Sequence, residues 1–173
     1  MIKLGIIGLG YIGNVHARIF AKDPRVEIAS LYDIIPERAE LASKVVGGKV
    51  CSSREELLAS CDAVLVCTPN RTHTEIASHA VAEGKHVFCE KPFSIGMADA
   101  RKLLDVASGS SKVFQVGHNR RYAPVYVKLK ELLAGDRAHS AHIKMNRGEL
   151  KNRSEEHTSE LQSRQYLVCR LLL

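Results

Sequence analysis

Cysteine is scarce in this chain: five residues, at 51, 61, 67, 89 and 169, odd in number and without a CxxC pair. That argues against a disulfide scaffold or a zinc ribbon and fits reduced thiols in the cytoplasm, the expected compartment. Long apolar runs are missing too. None approaches the roughly 20 residues needed to cross a bilayer, so no membrane span is expected. The opening MIKLGIIGLG starts a strand pattern at once, without the apolar region and small-residue cleavage site of a signal peptide. A concentrated basic stripe is also lacking. Twenty-five Lys and Arg against 19 Asp and Glu give +6, but these charges are scattered, and Arg120-Arg121 is the one tight cluster. With no interleaved aromatics and no zinc-finger spacing, nucleic acid is not the expected partner; a mildly basic surface attracting an anionic small molecule is. No serine nucleophile elbow and no carboxylate pair with a clear partner is present. His139 and His142 are three apart on an expected strand, hence on opposite faces, so no metal site is expected.

What remains is an ordinary globular composition, 45% apolar and 25% charged over 173 residues, enough for about one domain with a proper core. Through residue 118 short apolar runs alternate with helical periodicity, the signature of a parallel α/β sheet. Strands are predicted at 2–8, 26–32, 62–67, 86–89 and 112–116. Helices are predicted at 11–22, 36–45 and 97–107, with a short one running to Ala59 behind two overlapping capping boxes in Ser52-Ser53-Arg54-Glu55-Glu56. Thr72 and Glu75 form another such box, opening a helix that buries Ile76, Ala77, Ala80 and Val81 and stops at Gly84. The expected fold is therefore a Rossmann-type, doubly wound parallel sheet.

After Gly117 the pattern changes. Val125, Leu129, Leu132 and Leu133 mark a helix between Pro124 and Gly135. Ala141, Ile143 and Met145 then alternate with polar residues as a half-buried strand. Residues 119–152 read as the first helix and strand of a second, α+β domain. That strand is expected to lack a partner, and its edge near 138–147 to promote self-association. Residues 153–173 follow no earlier pattern. Arg153–Ser163 is identical to the in-frame translation of a common short-read sequencing adapter, and Leu167–Leu173 to that of the flanking adapter stretch. The tail thus resembles translated adapter and is set aside from the fold.

Gly8-Leu9-Gly10-Tyr11-Ile12-Gly13 fits GxGxxG, placed between an apolar strand and a helix as a dinucleotide-binding turn requires. Gly8 allows the turn, Gly10 the approach of a pyrophosphate, and Gly13 close packing, while the helix N-terminus attracts the anion. Asp33 ends the second strand 20 residues after Gly13, where a carboxylate accepts adenosine-ribose hydroxyls and repels a 2′-phosphate. NAD is favoured over NADP, a preference Arg38 could soften. The same Asp33 could instead only cap a turn, and His16 could face the cofactor or merely pack. Cys67 and Cys89 read as small core residues.

Four segments go further: GLGYIGNVHA at 8–17, CTPNRTH at 67–73, GKHVFCEKP at 84–92 and GHNRRYAP at 117–124. Together they resemble the Gfo/Idh/MocA oxidoreductases, the glucose–fructose oxidoreductase and inositol dehydrogenase family, from residue 1 to about Leu150. RRY and NRGEL look most like its inositol and sugar dehydrogenase branch. The resemblance implies that Thr68, Pro69, Asn70 and His73 line the dinucleotide near its nicotinamide end. It places Glu90 beside the nicotinamide ribose and makes Lys91 the active-site lysine. Asn119, Arg120 and Tyr122 match a loop on the substrate side. It further implies a sugar or polyol substrate, a homo-oligomeric whole protein, and catalytic partners located beyond residue 150. The chain by itself is then expected to bind NAD without completing catalysis. A non-catalytic dinucleotide sensor is the alternative, and would need the glycine turn and Asp33 but no EKP lysine.

Overall fold

A computed structural model describes residues 1–135 together with the strands Ala141–Ile143 and Leu167–Cys169. Two compact units divide after His118. In the first, β1 (Ile2–Ile7), α1 (Tyr11–Phe20), β2 (Val26–Tyr32), α2 (Pro36–Val46), β3 (Lys49–Val50), α3 (Arg54–Ala59) and β4 (Ala63–Val66) lead into a 3-10 turn at Asn70–Thr72. Then come α4 (His73–Ala82), β5 (His86–Cys89), α5 (Met97–Ser108) and β6 (Phe114–Val116). All six strands pair in parallel in the order β3-β2-β1-β4-β5-β6. The chain therefore starts in mid-sheet, winds outward one way, and crosses back to wind the other. The crossing lies between β1 and β4, and open α/β sheets bind their ligands at the carboxyl ends of the strands at such a point.

Both faces of the sheet are covered, which is why its strands read as continuous apolar runs rather than alternating ones. Neighbouring residues feed opposite cores: Ile6 and Leu65 pack with Leu9, Ala17, Leu31 and Ala39, while Ile7, Val64 and Val66 pack with Leu57, Ile76, Val87 and Leu103. The α4 face predicted from periodicity is the buried one, Ile76, Ala77, Ala80 and Val81. Cys51, Cys61, Cys67 and Cys89 are buried and form no disulfide, and burial pushes the pKa of the Cys89 thiol up to about 12.

Capping chemistry is right for one helix and wrong for another. Ser53 Oγ accepts the Glu56 backbone N–H at 3.1 Å, and Glu56 reaches back to Ser52, a capping box displaced by one residue on its return arm. At α4 the expected Thr72–Glu75 box does not form. Thr72 ends the preceding 3-10 turn, its hydroxyl donates to Pro69 O at 2.8 Å, and Glu75 instead pairs with Arg54 at 2.9 Å.

The second unit holds a 3-10 turn (Asn119–Tyr122), α6 (Pro124–Leu132), β7 (Ala141–Ile143) and β8 (Leu167–Cys169). The apolar stripe predicted on α6 is present, but Val125, Leu129, Leu132 and Leu133 are all exposed. β7 corrects an expectation: it is paired, antiparallel, with β8 from the adapter-like tail, because the Leu-rich end of that tail supplies a segment apolar enough to form strand. Met145 and His139 lie outside the described residues.

Candidate dinucleotide site

The turn joining β1 to α1 is built by exclusion. Gly8 sits at φ +93°, and a Cβ there would lie 2.7 Å from the Cys67 carbonyl group. A Cβ on Gly13 would collide with the Gly8 carbonyl. These two positions let β1, β4 and α1 converge. Gly10 differs: an added Cβ would meet nothing within 4 Å, so the absent side chain leaves open space above the turn. Tyr11 beside it is exposed and Ile12 half-buried. No side chain caps α1 and no acidic residue stands in its first turn, so the first-turn amides keep their positive field for an anion.

Asp33 is tied to this turn. One carboxylate oxygen accepts the Leu9 N–H at 2.7 Å, the other the Ile35 N–H at 2.9 Å, and the side chain is almost wholly buried. The turn-capping alternative is thus realised, and it does not exhaust the group. A carboxylate has about four acceptor sites, so two remain after both amides are bound. Arg38 reaches to 4.0 Å of the same carboxylate. Asn14 was not foreseen as part of the turn; its amide donates to Leu9 O at 2.6 Å and Gly10 O at 3.0 Å, securing both carbonyls of the hand-over. Its place four residues past Gly10 is a signal the sequence offered.

This open, uncapped turn and the carboxylate beneath it lie within the stretch of chain that one family model matches. The oxidoreductase family with an NAD-binding Rossmann fold, GFO_IDH_MocA, matches residues 2–118. This chain belongs to that family. Among curated relatives, the glucose-6-phosphate 3-dehydrogenase of Bacillus subtilis is 36% identical over 133 residues, 77% of this chain and 38% of that protein. The myo-inositol 2-dehydrogenase of Thermotoga maritima is 31% identical over 144 residues, 82% and 43%. Among solved structures, the scyllo-inositol dehydrogenase from Lactobacillus casei, with bound cofactor NAD(H) and scyllo-inositol, superposes with a TM-score of 0.74 at 29% identity, over 78% of this chain and 41% of that one. The chain thus spans about two-fifths of the length of these relatives.

In this GFO_IDH_MocA member Thr68, Pro69, Asn70, Glu90 and Lys91 follow the ends of β4 and β5. Thr68, Pro69 and Asn70 form the loop leaving β4, with Thr68 Oγ1 2.8 Å from Thr72 Oγ1. Glu90 and Lys91 follow β5. Glu90 Oε1 accepts the His16 Nε2–H at 2.8 Å, and Oε2 accepts the Lys91 backbone N–H at 3.1 Å. Burial pushes Glu90 up, but the His16 hydrogen bond, the Lys91 N–H and the charges of His16 and Lys91 outweigh it, so its pKa settles below the ordinary value. His16 is therefore a partner of the EKP segment, with its ring edge-on to Phe88 at 5.5 Å. The pair spans 74 residues, so no local pattern announced it.

Lys91 is exposed and precedes a cis peptide to Pro92. His73, expected to line the dinucleotide, is instead 1% exposed, with both ring nitrogens turned to backbone carbonyls. Asn119, Arg120 and Tyr122 belong to the 3-10 turn of the second unit and are exposed there.

The residues at the turn fit an adenine dinucleotide: a cradle that a Cβ at Gly10 would invade, uncapped helix amides for a diphosphate, and spare acceptor capacity on Asp33 for ribose hydroxyls.

Proposed function

We propose that this chain is the NAD-binding part of a dehydrogenase that takes a hydride from a secondary hydroxyl of a sugar or polyol, in the manner of an inositol dehydrogenase. The observation that carries the reading is the His16–Glu90 hydrogen bond, which joins α1, the helix that the glycine turn opens, to the EKP segment after β5. Gly8, Gly10 and Gly13 with the amides of Tyr11 and Ile12 take the diphosphate, and Asp33 takes the adenosine ribose. Thr68, Pro69 and Asn70 line the nicotinamide end, and Glu90 accepts from its ribose. Bound NAD supplies the hydride acceptor. Lys91, next to it, hydrogen-bonds the reacting oxygen and holds the proton that leaves the hydroxyl. Asn119, Arg120 and Tyr122 face the substrate.

Alignment of a polyol hydroxyl needs more contacts than Lys91 provides, and positioning is a large share of such catalysis. Residues 1–173 are accordingly proposed to bind NAD and to turn over no polyol, the whole protein acting as a cytoplasmic homo-oligomer. Asp33 repels a 2′-phosphate, so NAD is preferred over NADP, while Arg38 lessens the difference. Titration of the chain with NAD and NADP, followed by an assay for NADH with inositol or glucose, tests this. Saturable NAD binding without NADH is the expected result. No binding of either nucleotide overturns the cofactor assignment, and NADH formation overturns the incompleteness.

A further inference from the structure

We propose that His73 is a positioning residue: a doubly protonated ring, closed off from solvent, that donates to two backbone carbonyls and fixes the Lys91–Pro92 segment against the loop leaving β4. The consequence for cofactor binding rests on the function proposed above; the ring chemistry does not. His73 opens α4, beneath both loops. Its Nδ1 lies 2.7 Å from Pro92 O and its Nε2 2.7 Å from Thr68 O. Carbonyl oxygens only accept. A neutral imidazole has one N–H and one bare lone pair, so in either tautomer one nitrogen would present its lone pair to an oxygen at hydrogen-bonding distance. Exchanging the tautomer moves the clash to the other end. Only a ring with a proton on each nitrogen satisfies both contacts, and both hydrogen bonds are then charge-assisted.

The neighbouring residue strengthens the device. Thr74 Oγ1 donates to Phe93 O at 3.0 Å, so the first turn of α4 holds two consecutive carbonyls immediately after Lys91. Thr68 O, the other end of the staple, belongs to the loop that begins the 68–70 segment. One ring thereby couples the backbone next to the lysine to the loop assigned to the nicotinamide end. This accounts for a histidine in the CTPNRTH segment whose two ring nitrogens both meet backbone carbonyls.

The ring can be read directly. In 15N-histidine-labelled chain, long-range 1H–15N correlation at neutral pH reports each ring nitrogen as protonated or bare. Two protonated nitrogens at His73, with slowly exchanging N–H signals, are expected; one bare nitrogen overturns the proposal. This needs only the unaltered chain, with contacts to Thr68 and Pro92 assigning the ring, so a variant that fails to fold leaves the test intact. In His73→Gln, whose single amide nitrogen cannot span both carbonyls, 15N relaxation at the Lys91 amide should report greater mobility and NAD should bind roughly tenfold more weakly. Unchanged mobility and affinity overturn the positioning role. If the unaltered chain binds no NAD, the cofactor reading fails while the ring spectrum and the Lys91 relaxation still decide the staple.

Discussion

Gly10 and Gly13 lie three residues apart in one turn, and the space around them assigns them different work. A methyl group at Gly13 must push α1 away from the Gly8 carbonyl; Gly13→Ala is expected to lower stability by about 1–3 kcal/mol, as overpacking does, shifting the urea midpoint and weakening NAD binding together. Gly10 has ordinary negative φ and open space beyond it. Gly10→Ala should leave the unfolding free energy in urea within about 0.5 kcal/mol of the parent and still weaken NAD binding by more than about tenfold, because the methyl group occupies the diphosphate's place. Affinity lost without stability separates a ligand cradle from a turn that is merely tight. Ser30 is the converse case. Its hydroxyl is fully buried and has no hydrogen-bond partner among the described residues, so it carries a desolvation cost with no return. Ser30→Ala should be neutral or stabilising by up to about 1 kcal/mol in chemical denaturation.

At the scale of elements, β5 and α1 meet through Glu90 and His16, and the close approach depends on Gly117, where a Cβ would lie 2.9 Å from Glu90 Oε1. Because the folded pKa of Glu90 is lowered, its contribution to stability is complete above the unfolded value of about 4.3 and is lost as pH falls through the folded one. The gap in melting temperature between the parent and Glu90→Gln should therefore be widest near neutrality and close as the pH drops below the ordinary glutamate range. A gap that stayed constant with pH would mean the carboxylate is not held charged by His16 and Lys91. The same meeting point marks where legibility ends. The strands of the sheet were readable because burial on both faces leaves uninterrupted Val, Ile and Leu runs, and the glycine turn because only glycine fits its geometry. β3 was not, since Lys49–Val50 is two residues long and carries no period. Nor were His16–Glu90, Asp33–Leu9 or the two carbonyls on His73: each joins residues distant in the chain or uses backbone atoms, which leave no trace in residue identity. The α4 cap failed for a related reason: Thr72 is the N-cap residue the Ser/Thr-x-x-Glu spacing implies, but it also closes a 3-10 turn that holds it at φ −101°, ψ −7° rather than in the extended conformation of a capping residue.

For the molecule as a whole, the division after His118 falls where the sequence changes character, and every group proposed to touch the dinucleotide lies before it. Both hydrophobic cores, the crossing point between β1 and β4, Asp33 and the EKP segment are complete within residues 1–118. A unit with its own core and closed set of parallel pairings has what independent folding needs. Residues 1–118 expressed alone should then unfold cooperatively and bind NAD with an affinity within about twofold of the 173-residue chain, since every group proposed to hold the dinucleotide is retained. The comparison also bears on self-association. The strand expected to expose an edge is paired through Leu167–Cys169, so removing residues 153–173 uncovers β7 and should raise the apparent mass on sizing chromatography, whereas removing residues 119–173 takes the edge away and should restore a monomer. Loss of NAD affinity in the shorter chain would place part of the cofactor site after His118 and refute the assignment of binding to the first unit.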